Sequence, residues 1–94
     1  MSYDVLLSDA VSDYLKSQDR SRQKDILKHL YEMKVDPFKG DVMRLKPPLQ
    51  RLYRKRIGSD RLLFSIRGED VYLELMGDRS QIHGLAKRLE RNRG

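Results

Sequence analysis

The chain has 94 residues, 38% of them apolar and 36% charged, with no cysteine and a formal net charge of +6 at pH 7. A chain of this length supports one domain, spanning 1–94, and the missing cysteines exclude disulfide staples, thiolate zinc sites and cysteine nucleophiles. The apolar runs are too short to span a membrane, and the N-terminus has no basic-then-apolar signal pattern, so the expected address is the cytoplasm.

The positive charge is unevenly placed. Residues 1–43 carry seven Lys/Arg against eight Asp/Glu, a balance of −1, and residues 44–94 carry thirteen against six, a balance of +7. A basic half of this kind favours nucleic acid or an acidic protein as partner.

In chain order, Tyr3 to Leu7 reads as a short strand, and Ser8-Asp9 supplies an N-cap for a helix with the apolar stripe Ala10, Val11, Tyr14 and Leu15. A polar break at Ser17 to Ser21 separates it from a second helix, from about Arg20 to Val35, whose buried stripe is expected to hold Ile26, Leu27, Leu30 and Tyr31, edged by Met33 or Lys34. Asp36-Pro37-Phe38-Lys39-Gly40-Asp41 is a turn-rich exit. Val42 to Lys46 reads as a short edge strand that stops at Pro47-Pro48, a pair lacking two ladder donors.

Arg51 to His83 then holds three short apolar-rich runs broken by Gly58-Ser59-Asp60 and Arg67-Gly68-Glu69-Asp70, the pattern of a β-meander. Ile82, Leu85, Ala86 and Leu89 give a short C-terminal helix. The expected fold class is α+β, in the order β-α-α-β-β-β-β with a short C-terminal helix. Two N-terminal helices pack on a twisted, mainly antiparallel sheet of four to five strands.

Side chains alternate across a strand. With Tyr53 and Ile57 turned to the core in the first run and Leu62, Phe64 and Ile66 in the second, Arg54, Arg56 and Arg61 all point to the opposite face. Arg79 and His83 follow at the end of the third run, where they can close over that surface. Four arginines and an imidazole on one wall suit a polyanion. No cluster of Asp, Glu and His has metal-ligand spacing, so neither a metal nor another cofactor is expected.

Three segments in this order, Tyr53-Arg54-Lys55-Arg56-Ile57, Asp60-Arg61-Leu62-Leu63-Phe64-Ser65-Ile66 and Gly77-Asp78-Arg79-Ser80-Gln81-Ile82-His83, together with Leu7-Ser8-Asp9-Ala10 and Arg44-Leu45-Lys46, make the chain resemble the RelE/ParE superfamily of bacterial and archaeal toxins over nearly its whole length. The resemblance implies a toxin silenced by a cognate antitoxin. In the RelE-like branch this is a ribosome-dependent endoribonuclease that cuts mRNA in the decoding site. In the ParE-like branch it is a protein of the same fold that acts on DNA gyrase and lacks the basic nuclease constellation. The arginines favour the first branch; the alternative is a non-nuclease toxin that docks on gyrase or another protein through its basic face. A third reading is a nucleic-acid-binding module of a repressor complex, with operator DNA bound only alongside the antitoxin.

Metal-free RNA cleavage needs a base near the attacking 2′-oxygen, positive charge around the phosphorus and an acid at the leaving oxygen. Arg61 is the first candidate to clamp the scissile phosphate, since a guanidinium fork matches phosphate geometry; otherwise it is a solvated strand-end arginine. Arg54 and Arg56 stand where the best-known relatives carry lysines, and as arginines neither is a credible base. His83 stands where many relatives carry tyrosine, and with an ordinary imidazole pKa of about 6.5 it can shuttle a proton near neutrality. Arg79 either binds beside the phosphate or pairs with Asp78 or Glu74. Arg44, Lys46 and Arg51 are candidates to track RNA or ribosome. Lys55 joins them by snorkelling from the helix side, its stem partly covered. Tyr53 and Phe64 read as packing residues. Leu85 and Leu89 offer an apolar seam to an antitoxin bearing an acidic, amphipathic helix.

Overall fold

Two short polar side chains start the helices that cover the sheet. Ser8 Oγ accepts from the Val11 amide at 3.2 Å and donates to the Glu74 carbonyl at 2.8 Å, so the cap of α1 (Asp9–Ser17) is also tied to the sheet. Asp19 accepts from the Arg22 amide at 2.8 Å and caps α2 (Arg20–Met33). Between them Gln23 donates to the carbonyls of Leu15 and Gln18, the first of which also accepts the Gln18 amide, and so braces the end of α1. The computed structural model describes residues 2–92. Its remaining elements are β1 (Asp4–Leu7), β2 (Val42–Arg44), β3 (Tyr53–Ile57), β4 (Asp60–Arg67), β5 (Asp70–Asp78) and α3 (Ile82–Asn92).

The sheet runs β1-β5-β4-β3-β2, with β1 parallel to β5 and every other neighbour antiparallel. Gly58 and Gly68 close the two hairpins at φ 61° and 59°, the left-handed conformation that II′-type turns place at their first central position. The β4–β5 register steps over Glu74, so that Leu63 faces Leu75 and Phe64 faces Leu73, and this bulge turns Glu74 toward Ser65.

The helices α1 and α2 bury Val11, Ile26, Leu30 and Met33 against Phe64 and Leu73 of the sheet. Burial of each large apolar side chain of this kind stabilises by roughly 1.5–3 kcal/mol. Two expectations fail on α2. It ends at Met33, because Lys34 and Val35 enter a turn ahead of Pro37. Its buried stripe is Ile26, Leu30 and Met33, which leaves Leu27 and Tyr31 facing outward, the Tyr31 ring capped by the Lys34 ammonium at 4.9 Å.

The face that carries the arginines also carries a second, smaller core. There α3 lays Ile82 and Ala86 on Leu49, Leu52 and Leu63. Leu85 and Leu89 are half-buried on the same helix, and Leu45 and Leu75 flank the core. The arginines occupy what α3 leaves uncovered.

Candidate nucleic-acid interface

Alternation along β3 decides which basic residues meet. Arg54 and Arg56 share a face with Arg61, which lies directly across from Arg56 in the β3–β4 register. Arg61 is only 7% exposed, and its Nη1 donates to the Asp60 carbonyl at 3.1 Å. The neighbouring Asp60 carboxylate is already taken by the Tyr14 hydroxyl at 2.7 Å and by Arg22. Burial lowers the Arg61 pKa, and the positive charges of Arg56, Arg54 and Arg79 lower it further. Among the described residues no carboxylate pairs directly with Arg61, and the one carboxylate that offsets part of this repulsion, Asp41, is shared between Arg54 and Arg56, so a largely buried cation sits in a net positive field. Such an arrangement is costly unless an anion joins it.

Asp41 closes the turn-rich exit in the sequence and carries no sign there of a role beside the arginines. Its carboxylate bridges Arg54 Nη2 at 3.0 Å and Arg56 Nη1 at 3.4 Å, and its carbonyl accepts the Arg56 amide at 3.0 Å. The clue was the edge strand that follows it, which pairs Val42 with Lys55 and so brings the residue before it beside Arg56. Arg54 Nε takes no part in this bridge. It is the one buried side-chain nitrogen or oxygen among the described residues without a hydrogen-bond partner.

Two residues assigned to RNA contact are placed otherwise. Lys55 does not snorkel: it is 2% exposed on the helix face, its Nζ donates to the Lys39 carbonyl at 2.5 Å, and burial lowers its pKa. The loop that delivers this carbonyl turns at Gly40, φ 89°, where a Cβ would stand 3.2 Å from Lys55 Nζ. Lys55 therefore fixes the loop that presents Asp41. Arg51 is also committed: Nη1 and Nη2 bond Glu74 at 2.5 and 2.8 Å and Nε bonds Glu90 at 2.6 Å, tying α3 to the sheet. These carboxylates, Glu74 first, raise its pKa.

His83 lies in the first turn of α3 rather than at the end of a strand, and it is exposed. It lines an open cleft of about 470 Å³ together with Arg44, Lys46, Arg54 and Lys87. Arg54 is thus the residue shared between the arginine cluster and the cleft. Arg44 also donates to the Gln50 carbonyl and lies over the Tyr53 ring. Arg79 is exposed beyond β5; of the partners considered for it, Asp78 receives Ser80 and Gln81 at the start of α3, bonds that lower its pKa, and Glu74 is engaged by Arg51 and Ser65. No three His, Cys, Asp or Glu side chains gather among the described residues in a way that could hold a metal ion, and no described helix is long and apolar enough to cross a membrane.

No family model matches the chain, and no curated protein matches it in sequence at a significant level. Solved structures do match. The archaeal RelE–RelB complex from Pyrococcus horikoshii OT3 is 23% identical with a TM-score of 0.72, over 86% of this chain and 99% of that one. A RelBE toxin–antitoxin complex from Mycobacterium tuberculosis is 17% identical with a TM-score of 0.75, over 84% and 100%. A free double arginine-to-alanine mutant of E. coli toxin RelE is 14% identical with a TM-score of 0.70, over 97% and 98%. The chain has the RelE-like toxin fold.

Within this RelE-like fold the expected α+β class, with two helices on a mainly antiparallel sheet, holds at five strands plus α3. Tyr53 and Phe64 are packing residues as expected, their rings stacked with centroids 5.5 Å apart. Arg54, Arg56 and Arg61 share one face of the sheet, Arg79 is near enough for its charge to lower the Arg61 pKa, and His83 lines the cleft with Arg54.

Proposed function

We propose that this chain is the toxin of a toxin–antitoxin system and works as a ribosome-dependent endoribonuclease, cutting mRNA in the decoding A site from the cytoplasm. The observation that carries the reading is Arg61, withdrawn from water, sharing a face with Arg54 and Arg56 and lacking, among the described residues, an ion-pair partner of its own. A dianionic pentacovalent phosphorus supplies the charge this cluster lacks, and supplies more of it than the ground-state phosphodiester does, so the cluster binds the transition state better than the substrate. In the proposed step the 2′-oxygen attacks phosphorus, the P–O5′ bond breaks, and a 2′,3′-cyclic phosphate and a free 5′-hydroxyl result. The proton lost by the 2′-hydroxyl and the one gained by O5′ pass through His83 or water, and no metal takes part.

The ribosome is required because Arg54, Arg56 and Arg61 hold charge in place and do not themselves align a 2′-hydroxyl with its phosphate. The partner that silences the toxin is an antitoxin whose acidic, amphipathic helix meets the basic face and the half-buried Leu85 and Leu89; operator DNA is bound only within that complex. Cleavage of a programmed mRNA on purified ribosomes, with the ends mapped, tests the reading. Wild-type chain should cut in the decoding site and Arg61→Met should not. No cuts from a folded wild-type chain would move the assignment to a gyrase-type or other docking toxin.

A further inference from the structure

Asp60 opens β4 with a carboxylate that is almost wholly buried, on the face covered by α1 and α2. The Tyr14 hydroxyl of α1 donates to Oδ1 at 2.7 Å, and Arg22 of α2 pairs with Oδ2. The hairpin leaves room for this pair, since a Cβ at Gly58 would stand 2.9 Å from Arg22 Nη1. Burying an ion pair costs about as much as its attraction returns, and apolar side chains of like volume close such a site at least as well. What the arrangement gains is geometry. Successive residues of a strand face opposite ways, so the Asp60 carboxylate lies on the helix side and Arg61 on the arginine side, with one peptide between them. Across that peptide Arg61 Nη1 donates to the Asp60 carbonyl at 3.1 Å. Because Tyr14 and Arg22 take up the carboxylate, the charge of Asp60 is answered on the helix side, and Arg61 keeps its own for an anion on the other.

We propose that Asp60 is a positioning residue for Arg61: Tyr14 and Arg22 clamp its carboxylate from the two helices, and its carbonyl in turn holds the Arg61 guanidinium in one orientation on the arginine face. The inference rests on the reading of Arg61 as the phosphate clamp. A guanidinium that turns freely attracts a phosphodiester about as well as a fixed one does. Only the fixed fork meets the charge that develops on the pentacovalent phosphorus without first reorganising. The helical hairpin thus contributes to the site without reaching the face where the phosphate sits.

The test uses the whole chain with Tyr14→Phe, which removes the hydroxyl and keeps the ring, beside Ile66→Val, a packing change of similar cost at the far end of β4. Rotation of the Arg61 guanidinium about its Cζ–Nε bond is read by NMR exchange of its Nη resonances, assigned through their loss in Arg61→Met. It should be about tenfold faster in Tyr14→Phe. On ribosomes programmed with mRNA the same variant should cut with kcat about tenfold lower and KM unchanged, since the charge is kept and only its placement is lost. Asp60→Asn, a neutral and weaker acceptor for both partners, should repeat both changes, and adding Tyr14→Phe to it should change little more. Ile66→Val should alter neither reading. Wild-type rotation in Tyr14→Phe and Asp60→Asn overturns the proposal, as does an equal acceleration by Ile66→Val or a change confined to KM. Faster rotation in both variants of a chain that never cuts on ribosomes would sink the nuclease reading and leave Arg61 held by Asp60; cutting with wild-type rotation and kcat in both would do the reverse.

Discussion

Removing the carboxylate of Asp41 tests the arginine cluster without altering an arginine. Asp41 stands 3.0 Å from Arg54 Nη2 and 3.4 Å from Arg56 Nη1, and its side chain is 52% exposed. Ion pairs at this exposure are worth about 0.2–1 kcal/mol each, so the two together contribute about 1 kcal/mol. A phosphate seated between Arg54 and Arg56 must displace that carboxylate, and the same energy stands against binding. Asp41→Asn keeps the shape and a neutral acceptor. It should tighten binding of a non-cleavable single strand by about fivefold at moderate salt, and folding stability should fall by about 1 kcal/mol or less. One net positive charge added to the site should also steepen the salt dependence of binding, by up to about 0.7 in the log–log slope. Fluorescence anisotropy over a series of salt concentrations reads both effects. Unchanged or weaker binding by a folded Asp41→Asn chain would mean that Asp41 does not compete with phosphate, and that the strand is held away from Arg54 and Arg56.

Three further outcomes follow from the same geometry. Arg61→Met replaces a withdrawn cation with an apolar chain of similar length, so the thermal midpoint should rise while ribosome-dependent cleavage falls by about 100-fold or more; a lower midpoint would show that Arg61 is stabilised within the free chain and is no open anion seat. Arg51→Ala breaks the bonds to Glu74 and Glu90 and should cost about 2 kcal/mol in urea unfolding, with a change under about 0.5 kcal/mol arguing that α3 is held by Ile82 and Ala86 alone. The Tyr14 phenol is pushed up to about 12, first by burial and then by its bond to Asp60. Its contribution is therefore complete below about pH 10 and lost as pH rises toward 12, because there the unfolded chain releases a proton that the folded chain keeps. Wild type should lose stability over that interval faster than Tyr14→Phe, and parallel urea midpoints would contradict this.

Elements that depend on local chemistry were legible in the residues: the Ser8 cap, the Gly58 and Gly68 turns, and the alternation that sends Arg54, Arg56 and Arg61 to one face. What the residues did not reveal depends on register and on which elements cover which face. Asp41 reads as a turn residue until β2 is paired with β3, because only that pairing brings residue 41 beside residues 54 and 56. Leu27 and Tyr31 continue a helical apolar pattern and lie outside because α2 settles on Ile26, Leu30 and Met33. Arg51 looked free because its partners are 23 and 39 positions away, on a bulge and on α3. The second core was hidden for the same reason: Leu52 and Leu63 share a face with the arginines, and nothing local says that α3 folds back over them.

Lys55 shows why this strand is hard to assign from composition alone. Three consecutive basic residues, Arg54, Lys55 and Arg56, read as one patch, yet alternation splits them between two tasks. The outer two carry charge to the open face. The middle one is buried against the helix side and holds the Lys39 carbonyl, so the loop through Gly40 and Asp41 returns to the strand it left. The carboxylate that bridges the outer pair is thus positioned by the lysine between them. A one-residue slip of β3 would reverse both tasks, exposing Lys55 and burying two arginines where the single Lys39 carbonyl now meets one lysine. The cost of that error fixes the register. The same register sets Arg56 across from Arg61, so the pairing that protects the fold also assembles the cluster of cations.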